Sequence, residues 1–413
     1  QNRLSLETKI ENVLPDDVIL ANEAITKEIY DRGMQELRDG TVGVVSLAAG
    51  VGSRWTQGAG CVKAIHPFCK LASRHRSFLE IHLAKSRRIS RLSGTTLPHV
   101  ITTSHMTDFA LQEYLKRVEN HGYEGPIYMS HGKTIGLRLV PTANDLRFSW
   151  EKQAKLDEQA QKMRESGQKA LLGWVSSCGE ASDYRDNLAM QCLHPVGHFY
   201  EVPNLLLNGT LKKMLEDRPQ LKYLMLHNID TVGADVDAGI LGLFASKNST
   251  LSFEVICRKI EDVGGGLARV NGKTRLIEGL ALPREEDEFK FTYYNSMTTW
   301  IDIDKLCHVF GLERSDLDDS AKVSASVHAF SRRLPTYGAL KEVKKRWGHG
   351  QEDVFPTAQF EKLWSDMSSL EEVDCEFFVV PRERGAQLKD VSQLDGWLRD
   401  GSASHLETLC EWS

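Results

Sequence analysis

Short apolar runs recur along the chain, and stretches with helical spacing separate several of them. The first run, Val42–Ala49 (VGVVSLAA), leads into a glycine cluster, which is typical of a buried parallel strand and the loop that follows it. Helical spacing covers 108–118 and 205–215, and further apolar runs occupy 97–103, 125–129, 221–227 and 251–257. This alternation predicts an α/β fold in which helices flank a mainly parallel sheet.

The segments on either side of this pattern predict smaller additions. Residues 4–38 have apolar side chains at helical spacing and predict a helical lead-in. Residues 266–280, with a turn at Asn271-Gly272, and the short run 376–380 predict antiparallel additions. The charged stretches 284–288 and 341–346 predict a solvated loop and the polar face of a helix. We therefore divide the chain into an N-terminal segment (1–40), a main domain (41–320) and a C-terminal region (321–413).

Composition narrows the classes of function. The 413 residues are 41% hydrophobic and 26% charged, with a net charge of −6, so there is no basic excess to bind a nucleic-acid backbone. No run approaches the roughly 20 apolar residues of a membrane-spanning helix, and the first residues lack the layout of a secretory signal. The eight cysteines contain no CxxC pair, which favours reduced thiols. We expect a cytoplasmic protein (or one of the plastid stroma), monomeric or homo-oligomeric, that binds neither nucleic acid nor membrane.

The most informative segment is the loop LAAGVGSRWTQGAGCVK. After a predicted strand it contains Gly50, Gly52, Ser53 and Arg54, and it ends at Lys63. Glycines let backbone N–H groups approach phosphate oxygens, and both an arginine fork and a lysine ammonium bind such oxygens. Together these features favour phosphate binding over a merely tight strand-to-helix turn.

Two other phosphate-binding motifs do not fit the chain. A dinucleotide fingerprint would need a third glycine where Trp55 stands. A Walker A loop would need a glycine five positions before Gly132-Lys133-Thr134, and Ile127 stands there.

The loop from Gly50 to Lys63 resembles the signature loop of sugar-nucleotide pyrophosphorylases, and within these it is most similar to the eukaryotic-type UDP-glucose and UDP-sugar enzymes. Val62 replaces the usual proline before the lysine. The run Asn228-Ile229-Asp230, after a predicted strand, resembles the family's Asn-Ile-Asp segment. An aspartate at the carboxyl end of a parallel strand suits Mg²⁺, which prefers oxygen ligands. We therefore expect Asp230 to hold this metal.

Shorter segments resemble the nucleotide side of the family pattern. Thr103-Ser104 corresponds to a segment near the uracil, although a helix N-cap before Asp108 also explains these hydroxyls. Gly197-His198 matches a Gly-His pair, whereas Phe199-Tyr200 replaces the Gly-Asp that follows it. The resemblance implies that the nucleotide contacts Ala49, Gly50, Gly52, Ser53, Thr103, Ser104, Gly197 and His198.

The sugar side of the resemblance is carried by later segments. Glu278 matches a carboxylate that holds sugar hydroxyls, and Asn295 opens a segment in which Met297 and Thr298 replace two asparagines. Gly264 stands where many members have a second lysine. The implied sugar-binding residues are Asn228, Gly233, Lys259, Glu278 and Asn295.

Residues 380–389 (VPRERGAQLK) resemble the family's Val-Pro-Arg-Ser-Arg-Phe-x-Pro-Val-Lys segment. The match aligns Lys389 with a lysine that family members bring to the phosphates, whereas charge alone would assign this basic cluster to the surface. We expect the C-terminal region to return Lys389 to the active site. Only 24 residues follow Lys389, so we do not expect the full C-terminal β-helix that many members have.

The resemblance implies a Rossmann-like, GT-A-like nucleotidyltransferase domain. Its expected reaction transfers a uridylyl group from UTP to a sugar 1-phosphate, with glucose 1-phosphate as the expected acceptor and Mg²⁺ as the cofactor. The implied catalytic residues are Arg54, Lys63 and Lys389. Two alternatives stay open: a non-catalytic nucleotide-sugar sensor or scaffold, and a glycosyltransferase that uses an Asp-x-Asp pair. The candidate pairs are Asp235/Asp237, which a solvated helix start also explains, and Asp302/Asp304.

Overall fold

A computed structural model describes residues 4–52, Trp55, 62–139, 193–348 and 351–413. Ser53 and Arg54 of the predicted phosphate loop lie outside the described residues. The strands, numbered in chain order, are β1 Ile10–Glu11, β2 Ile19–Leu20, β3 Val42–Leu47, β4 Pro67–Leu71, β5 Arg74–Ser77, β6 His99–Thr103, β7 Ile127–His131, β8 Ile135–Leu139, β9 Leu193–Pro195, β10 Tyr223–Asn228, β11 Leu251–Cys257, β12 Gly266–Val270, β13 Lys273–Ile277, β14 Tyr293–Asp302, β15 Tyr337–Gly348, β16 Gln351–Glu361 and β17 Cys375–Val379.

The helices connect and cover these strands. In chain order they are α1 Ala21–Ala24, α2 Lys27–Arg38, α3 Phe78–Ser93, α4 Asp108–Arg117, α5 Pro203–Leu207, α6 Thr210–Asp217, α7 Ala238–Lys247, α8 Ile303–Val309, α9 Ser320–Ser331, α10 Arg382–Gly385, α11 Leu394–Arg399 and α12 Ser402–Leu409. Within the described ranges, no helix is long and apolar enough to span a bilayer.

One large sheet organises the part of the chain that the structure describes. Its main path runs β2-β17-β11-β14-β10-β3-β6-β7, and the β1, β12 and β13 strands join it from the side. The two pairings of β14 are antiparallel, whereas every other pairing along this path is parallel. The expected α/β fold with a mainly parallel sheet is therefore confirmed.

Both faces of this sheet are covered, which explains why its strands are apolar without alternation. Along β3, Val42 and Val44 pack into a core with α2 and α7. Val45 and Leu47, whose side chains point to the opposite face of the sheet, pack into a second core with α5, α6, α8 and α9. Successive side chains of a strand point to opposite faces, so one strand contributes to two cores.

Several predicted elements are confirmed, and two differ. The hairpin β12–β13 turns at Asn271-Gly272, both with positive φ. The run at 376–380 is strand β17, but it pairs with β11 in parallel, so the antiparallel prediction is wrong. A short apolar run does not encode the direction of its neighbour, and the connection before it decides that direction.

The charged stretch 341–346 is not a helix. It lies within β15, which pairs antiparallel with β16 in a second sheet of order β15-β16-β8-β9. Lysine and glutamate favour helices only weakly, and long-range pairing overrides this preference here.

The lead-in is helical over α1 and α2, but it begins with β1 and β2, which pair with β12 and β17. The charged stretch at 284–288 mostly forms a short 3₁₀ turn, Glu285–Lys290.

Candidate nucleotide-binding site

The predicted phosphate loop lies at a switch in strand order. From β3 the chain proceeds to β6 and β7 on one side, whereas β10 lies on the other side of β3. Leu47 at the end of β3 is in register with Asn228 at the end of β10. In open α/β sheets, ligands bind outside the carboxyl ends of strands at such a point. The two most specific sequence motifs therefore leave the sheet side by side.

Hydrogen bonds shape both ends of the loop. The Ala49 carbonyl accepts from Ser104 Oγ at 2.7 Å, and Lys63 N donates to Val51 O at 2.9 Å. Gly52 has φ of 74°, and a Cβ there would lie 2.4 Å from the Lys63 Cβ. Only glycine tolerates this conformation and this contact. Gly50 is exposed, with open space where a side chain would stand.

Lys63 and Asp230 form an ion pair at the centre of the site. Lys63 Nζ lies 2.8 Å from Asp230 Oδ2, with side-chain exposures of 16% and 6%. Among the residues that the structure describes, the other carboxylate oxygen, Asp230 Oδ1, is buried and has no hydrogen-bond partner. Buried carboxylate oxygens are normally paired, so Oδ1 has unused capacity for a cation or a donor. This geometry fits Mg²⁺, which often takes one or two carboxylates and completes its shell with waters and phosphate oxygens.

The C-terminal region returns to this centre. Leu388 N donates to the Asp230 carbonyl at 3.0 Å, and Trp55 Nε1 donates to the Leu388 carbonyl at 2.8 Å. The segment before Lys389 is thus attached both to the metal-candidate loop and to the phosphate loop. The structure brings Lys63, Asp230 and Lys389 into one site, although they are far apart in sequence.

Tyr294 orients the Lys389 ammonium. Lys389 Nζ donates to the Tyr294 hydroxyl and lies 5.1 Å from the ring centroid of the same residue. Burial alone would lower the pKa of Lys389, but Tyr294, Asp230 and Glu278 outweigh it and raise this pKa above its usual range. The raised pKa favours the protonated, cationic form of Lys389.

A buried ion pair anchors the C-terminal segment. Arg384 donates to both oxygens of Glu254, at 2.6 and 2.7 Å, and to the Asp235 carbonyl at 2.6 Å. Trp300 Nε1 donates to Glu254 Oε1 at 2.8 Å. The bidentate geometry positions α10 rigidly against β11 and β14. Charge alone would place Arg384 on the surface, whereas the structure buries it.

The loop after Asp230 is held by close packing. Gly233 is buried, and a Cβ there would lie 2.0 Å from the Glu383 carbonyl oxygen. The Lys85 ammonium donates to the carbonyls of Val232, at 2.6 Å, and Ala234. Burial lowers the pKa of Lys85 to about 8. The close approach of the Glu383 backbone explains why a glycine stands at position 233. The predicted contact of Gly233 with the sugar remains a prediction.

A small cavity that is partly open to solvent lies beside the phosphate loop. It lies among the ends of β3 and β6, the strand β8 and the turn that precedes α5. Its lining comprises Ala49, Thr102, Thr103, Ser104, His105, Ser130, Gly132, Thr134, Ile135, Val196, Gly197, Tyr200, Glu201 and Asn204. Four predicted nucleotide contacts, Ala49, Thr103, Ser104 and Gly197, are therefore walls of one cavity.

Two hydroxyl groups that line this cavity make hydrogen bonds within the protein. Thr103 Oγ1 donates to Asp108 Oδ1 at 2.6 Å, and Ser104 Oγ donates to Ala49 as described above. His198 Nδ1 accepts from Trp364 N at 3.0 Å, and burial lowers the pKa of this imidazole. His198 thus attaches the cavity turn to the segment after β16, and it is not among the residues that line the cavity.

The predicted sugar-binding residues differ in what their side chains contact. Glu278 accepts from Ser365 Oγ and contributes to the raised pKa of Lys389, so it belongs to the site. Asn295 N donates to Gly265 O at 3.3 Å, but both ends of its side-chain amide contact Met297. Asn228, which ends β10, accepts through its carbonyl from Thr231 N at 3.0 Å.

Lys259 is exposed at the surface. Its side chain is 48% exposed and lies 3.9 Å from Glu261. The neighbouring Arg258 instead faces inward and donates to the carbonyls of Gly264 and Gly265 at 3.0 Å. Sequence matching missed Arg258. This residue directly follows β11, so the signal that could have found it is the alternation of side chains along that strand, continued by one residue.

The Asp-x-Asp alternatives have structural roles in the fold. Asp237 Oδ1 accepts from Ile240 N at 2.9 Å and caps α7, and Asp302 Oδ1 accepts from Lys305 N at 3.0 Å and caps α8. Asp235 is buried, with a pKa raised mainly by burial, so the solvated helix start expected for it is wrong. In the part of the chain that the structure describes, no group of three potential ligands forms a metal centre.

Comparisons with known proteins find similarity over part of the chain. The family model UDPGP, described as UTP--glucose-1-phosphate uridylyltransferase, matches residues 181–327. The UTP--glucose-1-phosphate uridylyltransferase of Encephalitozoon cuniculi is 32% identical over 123 residues, which are 28% of this chain and 24% of that protein. Over these residues the chain is similar to UTP--glucose-1-phosphate uridylyltransferases.

A second relative extends the matched region. The Schizosaccharomyces pombe protein named "Probable UTP--glucose-1-phosphate uridylyltransferase" is 24% identical over 230 residues, which are 54% of this chain and 38% of that protein. The chain thus covers only 24% and 38% of the lengths of these two pyrophosphorylase relatives.

Solved pyrophosphorylase structures share the fold over nearly the whole chain. A mutant UDP-glucose pyrophosphorylase from Leishmania major superposes with a TM-score of 0.61 at 17% identity, covering 94% of this chain and 70% of that chain. A uridine diphosphate N-acetylglucosamine pyrophosphorylase from Trypanosoma brucei superposes with a TM-score of 0.60 at 13% identity, covering 96% and 72%.

Two departures from the pyrophosphorylase pattern lie beside Lys389 and the sugar side. A Cβ on Gly264 would lie 3.7 Å from Lys389 Nζ, so the second lysine of many members would stand close to this ammonium. Met297 has φ of 63°, and its sulfur and main-chain N–H contact the side-chain amide of Asn295, as described above. Asparagine tolerates this left-handed conformation far better than methionine does.

Proposed function

We propose that the chain transfers a uridylyl group from UTP to a sugar 1-phosphate and releases pyrophosphate. Glucose 1-phosphate is the proposed acceptor because the related proteins are named for it. The single observation that carries this proposal is the cluster of Lys63, Asp230 and Lys389 at a switch point of the sheet. Two cations and one carboxylate with an unused oxygen suit a substrate that carries several linked phosphates.

The proposed reaction needs little proton chemistry. A phosphate oxygen of the sugar 1-phosphate attacks the α-phosphorus of UTP, the bond from that phosphorus to the bridging oxygen breaks, and pyrophosphate leaves with the electron pair. The attacking oxygen is already anionic, so no general base is required. Catalysis then depends on positioning and on compensation of negative charge.

Each basic residue has a distinct part in this scheme. Lys63, with the loop amides and Arg54, binds the triphosphate, which requires Lys63 to exchange part of its contact with Asp230 for phosphate oxygens. Lys389, held by Tyr294, meets the sugar phosphate or the charge that develops during transfer. Asp230 would hold Mg²⁺ through its unpaired oxygen, and the ion would supply charge neutralisation between phosphates.

The decisive experiment is a substrate screen. The protein is incubated with UTP, CTP, ATP or GTP and with a panel of sugar 1-phosphates, including glucose and N-acetylglucosamine, while pyrophosphate release is followed. We expect release with UTP and glucose 1-phosphate. In the matched variants, Lys389→Ala and Arg54→Ala lose turnover, whereas Lys116→Ala on the exposed side of α4 retains it.

The same screen separates the alternatives. Turnover with only N-acetylglucosamine 1-phosphate would replace the proposed acceptor and keep the reaction. Tight binding of UDP-sugars, with no pyrophosphate released under any condition, would contradict the proposed activity and favour a sensor or scaffold. Wild-type turnover in both Lys389→Ala and Arg54→Ala would show that these residues are wrongly assigned.

A further inference from the structure

The Lys85 ammonium holds the turn that follows Asp230. Lys85 lies on α3 and donates to the carbonyls of Val232, at 2.6 Å, and of Ala234. An ammonium offers three N–H donors, so one side chain can bind two points of the main chain at once. These two carbonyls flank Gly233, so the loop bends around the ammonium nitrogen.

Further contacts hold the start of the same loop. His82, three residues before Lys85 on α3, contacts the Ile229 carbonyl through Nε2 at 3.0 Å. Residues three apart share a face of a helix, so α3 presents both side chains to the loop. The C-terminal segment binds the Asp230 carbonyl through Leu388 N at 3.0 Å. The loop is therefore attached to two distant parts of the chain, and Lys85 joins its turn to α3.

Burial of this lysine is costly for the fold. Lys85 is 2% exposed, and a lysine is rarely so buried unless it is paired. Burial lowers the pKa of Lys85 to about 8, while Asp235 acts in the opposite direction, so the side chain is mostly protonated at neutral pH. A methionine would fill a similar space without the cost of a buried charge. The N–H donors of Lys85, and not its volume, therefore distinguish it from an apolar residue at this position.

The turn bound by Lys85 bears on the carboxylate of Asp230. The two carbonyls belong to residues two and four positions after Asp230. Mg²⁺ requires nearly ideal octahedral geometry, and a misplacement of about 1 Å caused far from the chemistry can cost roughly 100-fold in rate. Groups that orient a metal ligand without touching the metal typically change its affinity about 10- to 100-fold.

We propose that Lys85 is a positioning residue for Asp230. By fixing the main chain of the loop, it directs the Asp230 carboxylate so that this group can bind Mg²⁺ together with the triphosphate. This inference rests on the proposed function, in which Asp230 holds the metal. It adds a buried side chain that acts on the site through the main chain and not by contact with substrate.

The test measures UTP affinity by calorimetry over a series of MgCl₂ concentrations. Lys85→Met keeps the approximate length of the side chain and removes its N–H donors, so the turn loses two contacts. We expect the MgCl₂ concentration that gives half of the increase in UTP affinity to rise about 10- to 100-fold in this variant. Arg91→Met, at a 76% exposed position of the same helix, is the matched control and should keep the wild-type requirement.

A double-mutant comparison separates positioning from a general loss of packing. In Asp230→Asn the proposed metal ligand is already absent. Adding Lys85→Met to this variant should therefore leave its UTP affinity in MgCl₂ unchanged, although Lys85→Met alone lowers that affinity. A merely structural role would lower the affinity by the same factor in both backgrounds, and this result would overturn the inference.

Hydrogen exchange reports on the loop in the absence of metal and nucleotide. Within the loop, Thr231 N donates to Asn228 O at 3.0 Å and Ala234 N donates to Thr231 O at 3.1 Å. In Lys85→Met the exchange of these two amides should accelerate roughly 10-fold or more, whereas the amides of β10 should exchange as in wild type. Unchanged protection of the loop would show that Lys85 does not hold it.

Two further outcomes overturn the proposal. One is an unchanged magnesium requirement in a folded Lys85→Met variant, and the other is a wild-type protein whose UTP affinity does not respond to MgCl₂. If Lys85→Met does not fold, Lys85→Gln serves instead, because its amide keeps N–H donors but ends one bond short of the ammonium nitrogen. Lys85→Gln should also raise the magnesium requirement, and wild-type behaviour would overturn the proposal.

Failure of the proposed function is distinguishable from failure of this inference. A magnesium requirement that depends on Lys85, without release of pyrophosphate, supports the positioning role and contradicts the proposed reaction. Turnover by the wild-type protein, combined with an unchanged magnesium requirement in Lys85→Met, contradicts the role of Lys85 alone.

Discussion

Lys63 Nζ lies 2.8 Å from Asp230 Oδ2, and this contact joins the end of the phosphate loop to the end of the neighbouring strand. Each charge compensates the other while both are largely withdrawn from water. A triphosphate and a cation can replace both partners at once, the phosphates at the lysine and the cation at the aspartate. The ion pair therefore keeps the site ready for ligands of both signs.

Asp230→Asn tests the metal-binding side of this contact. The variant keeps the size of the side chain but removes the charge that would hold Mg²⁺. We expect UTP affinity, measured by calorimetry, to rise with added MgCl₂ in wild type and to be insensitive to it in the variant. Turnover should fall roughly 100-fold or more. Equal magnesium dependence in both proteins would exclude Asp230 as the metal ligand.

Two lysines that both match the family pattern should behave differently. Lys389→Ala removes a partly buried cation that interacts electrostatically with Asp230, and should lower kcat about 100- to 1,000-fold. Lys259→Ala alters an exposed side chain near Glu261, so we expect less than about a twofold change. Steady-state kinetics of pyrophosphate release decide between them. A large loss in Lys259→Ala would show that the exposed position found here is not the one used with substrate.

Arg384 should contribute strongly to stability. Arg384→Met leaves Glu254 buried, at 0% side-chain exposure, without its cationic partner, and should lower the free energy of unfolding by about 3–5 kcal/mol in urea titrations. Arg399→Met breaks a pair of which both side chains are more than two thirds exposed, and should cost less than about 1 kcal/mol. Equal effects of the two variants would contradict the buried pair.

Asp366 should make stability depend on pH. Burial and the neighbouring Glu278 raise its pKa to about 7, from an ordinary value near 3.8. The folded state therefore binds a proton more tightly than the unfolded state, and this group destabilises the fold as the pH rises through that window. Asp366→Asn should remove the penalty, so the variant gains stability relative to wild type at pH 8 but not at pH 4.

Urea titrations at several pH values measure this difference. Asp31→Asn, on the exposed side of α2, is the control and should follow the wild-type profile. A variant that is equally displaced from wild type at every pH would show that the effect of Asp366 is packing and not ionisation.

Local sequence patterns predicted the parts of this protein that depend on neighbouring residues. The strand after which the glycine loop begins, the turn at Asn271-Gly272 and the strand before Asp230 were all confirmed. Each rests on a short-range cause: burial of a continuous apolar run, positive φ at Asn-Gly, or a polar residue at a strand end. The family resemblance also rests on such contiguous motifs.

Only the tertiary structure decided which distant residues share the site. Whether Arg258 or Lys259 faces inward depends on the phase of one strand end, and a shift of one residue reverses it. The parallel pairing of β17 with β11 directs the following segment towards Asp230, which brings Lys389 into the site. Glu201 reaches the cavity wall through its contacts with Thr102 and Ala49, both far away in sequence. Direction and register arise from long-range packing, which no local pattern encodes.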